Sequence, residues 1–265
     1  MVHLRVPLLA FFSILAASVL AQPPLNPAEQ DSLYRILADC RKAGLIGEFA
    51  YLEQLTLSRN RFSGEIPMNV FRNMKKLEIL DLSDNAFHGA MPESIGSAAA
   101  LVKLDLSHNG FSGKIPENLS CLKKVEFLDQ SYNKFGGFGF PLALTEMPSL
   151  KEVYLSGNFL GGEIPDIWEK MRGIIGIGLS SMGYVGKIPK SMGVQLRNAC
   201  YIGLDNNMLR GVVPAELGEL QFVGGKLKLE GNFDLCINEA LKSLHHGHLS
   251  ICRKPYVSKN ALFHE

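Results

Sequence analysis

The chain has 265 residues, with 27 Lys or Arg and 26 Asp or Glu, so its formal net charge at pH 7 is +1. A hydrophobic content of 46% is enough to bury a core, which excludes a disordered protein. The balanced charge argues against nucleic acid as a partner, because phosphate binding needs a concentrated basic face. The 26 glycines and 13 prolines indicate turns at regular intervals, as in a protein built from repeats.

Residues 1–21 predict a secretory signal peptide. His3 and Arg5 precede an apolar run from Val6 to Leu20, and Ala21 ends a suitable cleavage site. No second apolar run of the about 20 residues needed to span a bilayer follows. We therefore expect an exported chain without a transmembrane segment. Residues 22–48 are predicted to form an N-terminal segment with an incomplete cap.

One pattern recurs eight times within residues 49–235. The first copy, from Leu52 to Pro67, reads Leu-Glu-Gln-Leu-Thr-Leu-Ser-Arg-Asn-Arg-Phe-Ser-Gly-Glu-Ile-Pro, and the later copies follow every 24 or 25 residues. This L-x-x-L-x-L-x-x-N pattern is typical of leucine-rich repeats. The alternating leucines predict short strands whose leucines point into a core that stacked repeats share.

Each copy carries an asparagine that can bond backbone groups which no strand pairing satisfies. We expect these asparagines to form one buried row, in which Met182 replaces an eighth member. The row consists of Asn60, Asn85, Asn109, Asn133, Asn158, Asn207 and Asn232.

The Gly-x-Ile-Pro that follows the asparagine resembles the plant-specific subclass of extracellular leucine-rich repeats. That family includes receptor-like proteins, receptor-kinase ectodomains and polygalacturonase inhibitors. The leader and the stretch Leu25–Tyr34 resemble receptor-like proteins related to Piriformospora indica-insensitive protein 2. The resemblance implies an α/β-type solenoid, a right-handed curved superhelix with a parallel β-sheet on its concave face and an irregular or 3-10 convex side. It also implies recognition without catalysis.

The sequence departs from the family pattern in several places. The family's N-terminal cap carries a cysteine pair around a tryptophan, whereas only Cys40 stands here and Trp168 is the sole tryptophan. We interpret this as a product that lacks early repeats. Gln130 occupies an inward leucine position, where its buried amide needs partners. The segment Phe135–Pro141 contains an extra residue and predicts a bulge, with Phe138 and Phe140 turned outward.

Residues 236–265 are predicted to form a C-terminal cap and tail. Cys236 and Cys252 bracket the segment after the last repeat, the usual place of a capping disulfide in a secreted solenoid, where closing the loop stabilises by about 3 kcal/mol. Cys40, Cys121 and Cys200 then remain unpaired.

Other chemistry finds little support in the sequence. The cluster His245-His-Gly-His248 is compatible with a metal, but no acidic or cysteine ligand accompanies it, so incidental histidines are the favoured interpretation and no metal or cofactor is expected. No hydrolase, kinase or phosphate-loop motif occurs, so we expect no enzyme activity. Asn118-Leu-Ser120 is the one N-x-S/T site and predicts a glycan.

The residues between the strand leucines face outward and predict a ligand surface on the concave face. Three aspartates stack there, either as ordinary consensus or as a strip for a basic ligand, and tyrosines supply rigid contact area. Glycines 176, 178 and 203 predict a flat floor that a ligand backbone can approach. The candidate ligand-binding residues are Asp81, Asp105, Asp129, Tyr132, Tyr154 and Tyr201.

Two functional hypotheses follow. The favoured one is an extracellular receptor-like protein in plant cell-surface signalling, in defence or symbiosis. It would bind a peptide, a glycan or a partner ectodomain, would signal through a receptor-kinase co-receptor, and would associate with the plasma membrane through that partner. The alternative is a secreted inhibitor of a microbial hydrolase that degrades cell walls, as the resemblance to polygalacturonase inhibitors allows.

Overall fold

A computed structural model describes residues 3–5, 50–220, 226–238, 241 and 249–252. Strands are numbered in chain order. The largest sheet has nine strands, of which all but the first pair run parallel. We call it the main sheet, and its order is β1 (His3–Arg5), β2 (Gln54–Thr56), β4 (Ile79–Asp81), β6 (Lys103–Asp105), β8 (Phe127–Asp129), β10 (Glu152–Tyr154), β11 (Gly176–Gly178), β13 (Tyr201–Gly203) and β15 (Lys226–Lys228).

The alternation of leucines explains the main sheet. In each main-sheet strand from β2 to β13 the central residue is buried, and in β2, β4, β6, β8 and β10 both its neighbours are half-buried on the opposite face. Because successive side chains of a strand point to opposite faces, the central leucines enter the core and their neighbours face outward. The leucine-rich-repeat solenoid predicted from the sequence is confirmed.

Two smaller sheets run along the side of the solenoid. One consists of β3 (Ser63–Glu65), β5 (Ala86–Ala90), β7 (Gly110–Gly113) and β9 (Lys134–Phe135). The other consists of β12 (Val185–Gly186), β14 (Met208–Val212), β16 (Asp234–Ile237) and β17 (Ser250–Ile251). Between β9 and β12 the pairing is interrupted, and only isolated bridges join Gly136 to Phe159 and Glu163 to Val185.

The side opposite the main sheet carries short helices. Five of the seven helices within the described residues begin directly after a proline, whose fixed φ suits the extended residue before a helical turn. The 3-10 helices span Val70–Asn73, Glu93–Ser97, Glu117–Cys121, Leu142–Glu146 and Trp168–Met171. Two further helices, α1 (Lys190–Gln195) and α2 (Ala215–Gly218), are short α-helices.

The asparagine row joins each repeat to the preceding repeat through hydrogen bonds. Asn109 is representative: its Nδ2 donates to the carbonyl oxygens of Leu82 (2.9 Å), Leu106 (3.2 Å) and Ser107 (3.1 Å), and its Oδ1 accepts from the Phe87 amide (3.0 Å). One side chain thus satisfies several backbone groups that no strand pairing reaches.

Only part of this row is fully buried. Asn133, Asn158, Asn207 and Asn232 are buried, whereas Asn60, Asn85 and Asn109 are half-buried, so the expectation of a uniformly buried row was wrong. The buried members belong to the later repeats, from Asn133 onward.

Two substitutions weaken the pattern locally. Met182 is buried in line with the row but offers no side-chain amide. Among the described residues no side-chain oxygen reaches the amide of Leu160, and the neighbouring Gly161 amide instead donates to the Met182 carbonyl (3.0 Å). Gln130 is fully buried at its leucine position, where its Nε2 meets the Met91 sulfur (3.4 Å) and its Oε1 has no hydrogen-bond partner.

The ends of the described structure bear on two further predictions. Cys236 and Cys252 are joined by a disulfide that links β16 to the residue after β17. Cys121 and Cys200 are free and exposed. The strand His3–Arg5 pairs antiparallel with β2, so removal of a leader would leave β2 as the edge of the main sheet. Cys40, the histidines at 245, 246 and 248, and most of the predicted leader lie outside the described residues.

Candidate functional site

The three candidate aspartates lie side by side at the ends of β4, β6 and β8. The strand register pairs Asp81 with Asp105 and Asp105 with Asp129. Each carboxylate accepts a hydrogen bond from the amide of the serine two residues later, at 3.2, 3.1 and 2.8 Å respectively. These bonds fix the aspartate side chains in one row.

Lys103 lies within this row and neutralises only part of it. Its Nζ is 3.3 Å from Asp81 Oδ2 and 3.8 Å from Asp105 Oδ2, and it also lies 5.4 Å from the centre of the Phe127 ring. Asp129 forms no ion pair with any described residue. The row therefore keeps one carboxylate at its end that is free to meet an incoming cation.

The central aspartate of the row, Asp105, has a raised pKa. Burial raises the pKa of the Asp105 carboxyl, and the neighbouring charges of Asp129 and Asp81 raise it further. Hydrogen bonds from the Ser107 hydroxyl and amide oppose this rise. A cationic ligand placed here would relieve the repulsion between the carboxylates.

A second row of outward residues precedes the asparagines and is held in the left-handed backbone region. Its six non-glycine members have φ between 52° and 57°, a conformation that costs an L-residue roughly 1–2 kcal/mol. They are Arg59, Asp84, His108, Tyr132, Ser181 and Asn206. The corresponding residues of two other repeats, Gly157 and Gly231, are glycines.

Tyr132 is the most exposed of the candidate tyrosines. Its ring stacks on the His108 ring with centroids 4.3 Å apart, and 56% of its surface is accessible. On its other side the ring lies against Gly157, where an added Cβ would come within 2.7 Å of Tyr132 Cδ1. The structure thus holds an exposed aromatic pair beside the end of the aspartate row.

Tyr154 and Tyr201 differ from this exposed pair, because both are half-buried. Tyr154 is paired in register with Asp129, its ring centre is 6.1 Å from that of Tyr201, and its hydroxyl donates to Glu152 Oε2 at 2.9 Å. Burial, and then Glu152, raise the pKa of the Tyr154 hydroxyl above its usual value. It stays protonated and acts as a hydrogen-bond donor.

The predicted flat glycine floor is wrong. Glycines 176, 178 and 203 are buried, and the two tyrosines occupy the space above them. A Cβ on Gly178 would lie 2.9 Å from Tyr154 Cδ1, and one on Gly203 would lie 2.6 Å from the Tyr201 hydroxyl oxygen. The glycines make room for the tyrosine rings rather than for a ligand backbone.

The outward face also contains residues that the sequence analysis missed. They occupy the first position of β6, β8 and β10, where Lys103, Phe127 and Glu152 contact the candidate aspartates and tyrosines. The period-two alternation could have identified them, because both neighbours of an inward leucine face outward.

The predicted glycosylation site has an unfavourable geometry. Asn118 Nδ2 donates to the Glu93 carbonyl in the preceding repeat, and its Oδ1 is buried without a hydrogen-bond partner. A glycan on this side chain would have to displace it from that contact. Its occupancy stays a prediction, which the intact mass before and after enzymatic deglycosylation would test.

Comparisons with known proteins place this geometry in context. Two leucine-rich-repeat family models match residues 50–111 and 149–171. A 55-residue stretch is 44% identical to receptor-like protein kinase BRI1-like 3 of Arabidopsis thaliana and covers 21% of this chain and 5% of that protein. Within the described residues no helix is long and apolar enough to cross a membrane.

Two solved structures of Arabidopsis receptor kinases are similar over most of this chain. The ectodomain of GASSHO1/SCHENGEN3, solved with CASPARIAN STRIP INTEGRITY FACTOR 2, matches with a TM-score of 0.68 and 29% identity over 78% of this chain and 23% of that chain. HAESA, solved with the peptide hormone IDA and the co-receptor SERK1, matches with a TM-score of 0.64 and 33% identity over 74% of this chain and 32% of that chain. The chain thus spans less than a third of the length of these relatives.

Proposed function

Starting from a leucine-rich-repeat solenoid similar to the ectodomains of plant receptor kinases, we propose that this chain is a non-catalytic extracellular recognition module for a peptide or protein ligand. Its contact surface is the outward face of the main sheet between β4 and β13. The proposed contact residues are Asp81, Asp105, Asp129, Tyr132, Tyr154 and Tyr201.

One observation carries the proposal, namely the exposed His108–Tyr132 stack, whose members follow Asp105 and Asp129 by three residues in their repeats. Both aromatic residues occupy left-handed backbone positions that glycine fills in a neighbouring repeat. The same turn recurs at the equivalent position of six other repeats, so the repeat geometry imposes it and holds both rings in a fixed orientation. A rigid exposed aromatic pair beside an unpaired carboxylate suits a ligand with a basic side chain next to an apolar or planar group.

Partners and location are proposed on the same basis. HAESA was solved with a peptide hormone and a co-receptor, which favours a peptide ligand and a receptor-kinase partner for this chain as well. Such a partner would hold the chain at the plasma membrane and carry the signal. A role in defence or symbiosis, and the kinship with receptor-like proteins related to Piriformospora indica-insensitive protein 2, remain finer proposals that rest on the sequence resemblance.

The test compares affinities for secreted plant peptides and purified receptor-kinase ectodomains by biolayer interferometry. Asp129→Asn and Tyr132→Gly are the informative variants, because glycine suits the left-handed position and should leave the fold intact. Each is expected to weaken binding at least tenfold, or about 1.4 kcal/mol. Tyr51→Ser is the matched control, since Tyr51 is also 56% exposed but lies before the first main-sheet strand of the repeats.

Two results would contradict the proposal. One is unchanged affinity in both informative variants, which would mean that the ligand does not bind to this face. The other is tight binding to a fungal hydrolase that degrades cell walls, with no binding to any peptide or ectodomain, which would instead favour the inhibitor hypothesis.

A further inference from the structure

The interruption between the two side sheets creates a surface that the ligand face does not use. The segment Phe135–Pro141 has one residue more than its counterparts, and β9 ends within it. Phe138 is 60% exposed, whereas Phe140 is only 6% exposed and packs edge-on against Trp168 with ring centres 5.4 Å apart. The expectation that both phenylalanines turn outward was therefore half wrong.

Two adjoining clefts open beside this segment, with volumes of about 230 and 480 Å³. They share Glu117 and Leu142. Leu142 is 57% exposed, so it forms with Phe138 an apolar pair that is open to solvent. The smaller cleft is lined mainly by apolar side chains, including Ile115, Phe138, Phe140, Leu142 and Leu160.

The charged side chains that line the two clefts are mostly carboxylates, and one further cation, Lys123, reaches the Glu146 carbonyl oxygen (2.7 Å). Five carboxylates and two lysines line them, and both lysines are already paired, Lys114 with Glu117 and Lys170 with Glu146, each at 2.6 Å. The remaining carboxylates form no ion pair with any described residue. They are Glu163, Asp166 and Glu169, all exposed, and Asp166 also accepts a hydrogen bond from the Ser191 hydroxyl.

We propose that this pair of clefts, named here the side cleft, binds an exposed segment of a partner protein in which an apolar side chain is flanked by Lys or Arg. The apolar side chain would sit against Phe138 and Leu142, and the cations would face the unpaired carboxylates. An apolar surface rimmed by polar groups is typical of an interaction site, and charge complementarity selects the basic flank.

A second copy of this chain fits the side cleft poorly. A two-fold contact would bring the same patch of both copies together, and so would oppose two acidic rims. None of the residues that line the side cleft belongs to the main sheet, so the side cleft and the ligand face can be occupied independently.

The test uses three labelled synthetic peptides and fluorescence anisotropy at low and high salt. The first peptide has a central Leu flanked by Arg residues, the second has Glu in place of Arg, and the third has Ser in place of Leu. We expect the first peptide to bind at least tenfold more tightly than either of the others, with an affinity that falls as salt rises.

Variants locate the binding. Phe138→Ser should weaken it at least tenfold, and the pair Glu163→Gln and Glu169→Gln should weaken it and reduce its salt dependence. Phe233→Ser is the matched control, because Phe233 is 97% exposed and lies far along the chain from the side cleft.

Several outcomes would overturn the proposal. Equal binding of all three peptides, or an equal loss in Phe233→Ser, would show nonspecific apolar contact. A loss in Asp129→Asn without a loss in Phe138→Ser would assign the peptide to the ligand face. A dimer in sedimentation equilibrium that Phe138→Ser dissociates would make a second copy the occupant.

Discussion

At the level of single residues, the outward face contains side chains and backbone conformations that lower the stability of the fold. Asp105 lies between two like charges, and His108 and Tyr132 hold a backbone conformation that most residues avoid. Lys103 relieves the repulsion on one side only, since it reaches Asp81 and Asp105 but pairs with neither Asp129 oxygen. Residues that cost stability in this way are those expected to have a role in binding.

The raised pKa of Asp105 gives a pH-dependent prediction. A folded-state pKa above the unfolded one means that the folded state binds the proton more tightly, so this carboxyl favours folding below its unfolded pKa and loses that contribution as pH rises through its folded pKa. Asp105→Asn keeps the acceptor oxygen for Ser107 but removes the charge. We expect it to raise the free energy of unfolding at pH 7 by about 0.5–1 kcal/mol, the scale of cross-strand charge effects.

Urea unfolding at a series of pH values measures this effect. The difference between Asp105→Asn and the unmodified chain should shrink as pH falls through the raised folded-state pKa of Asp105, and it should be gone below the usual aspartate pKa of about 3.9. A variant that is less stable at pH 7 would mean that the contact with Lys103 outweighs the repulsion from Asp81 and Asp129.

At the scale of elements, the asparagine row and the phenylalanine stack join one repeat to the next. Phe62, Phe87, Phe111 and Phe135 stack with ring centres 6.2–6.3 Å apart. The backbone amide of each of these four phenylalanines donates to the Oδ1 of the asparagine in the next repeat. The repeats therefore share backbone hydrogen bonds as well as apolar contacts.

Substitutions in the row should differ in cost according to burial. Asn109→Ala and Asn133→Ala each strand several backbone groups, and we expect each to lower the free energy of unfolding by about 1–3 kcal/mol. Asn133→Ala should cost more, because Asn133 is buried and water reaches the freed groups less easily. Urea denaturation midpoints compare the two variants directly, and an unchanged midpoint in both would refute the structural role of the row.

At the scale of the whole molecule, each repeat contacts mainly its neighbours, so stability depends on how the array ends. The Cys236–Cys252 disulfide closes the segment after the last repeat. The free ends of such an array expose apolar faces that another repeat would otherwise cover.

Removing this disulfide should destabilise the C-terminal end. The Cys236→Ser and Cys252→Ser double variant is expected to lose about 3 kcal/mol, the loop-closure entropy for a loop of this size. The loss of protection against amide hydrogen exchange should be largest in β14 and β16 and smallest in β6 and β8. Uniform loss along the chain would mean that the described repeats unfold as one cooperative unit.

Four features could be read from the amino-acid sequence alone: the repeat period, the inward leucines, the position of the asparagine row and the order of the outward residues. These follow from local rules, since a strand alternates its side chains and a fixed period repeats the alternation. The same rules predicted the alignment of Asp81, Asp105 and Asp129, because equivalent residues of stacked repeats become strand neighbours.

How side chains of different repeats share space became clear only from the three-dimensional packing. Lys103 reaches back to the preceding strand, Tyr154 fills the gap above Gly178 on the following strand, and Phe140 turns inward while Phe138 turns outward. These outcomes depend on volumes and rotamers across repeats, which a period does not contain. The alternation of side chains along a strand determines on which face of the sheet each one lies, and packing against the neighbouring repeat determines which residues it contacts.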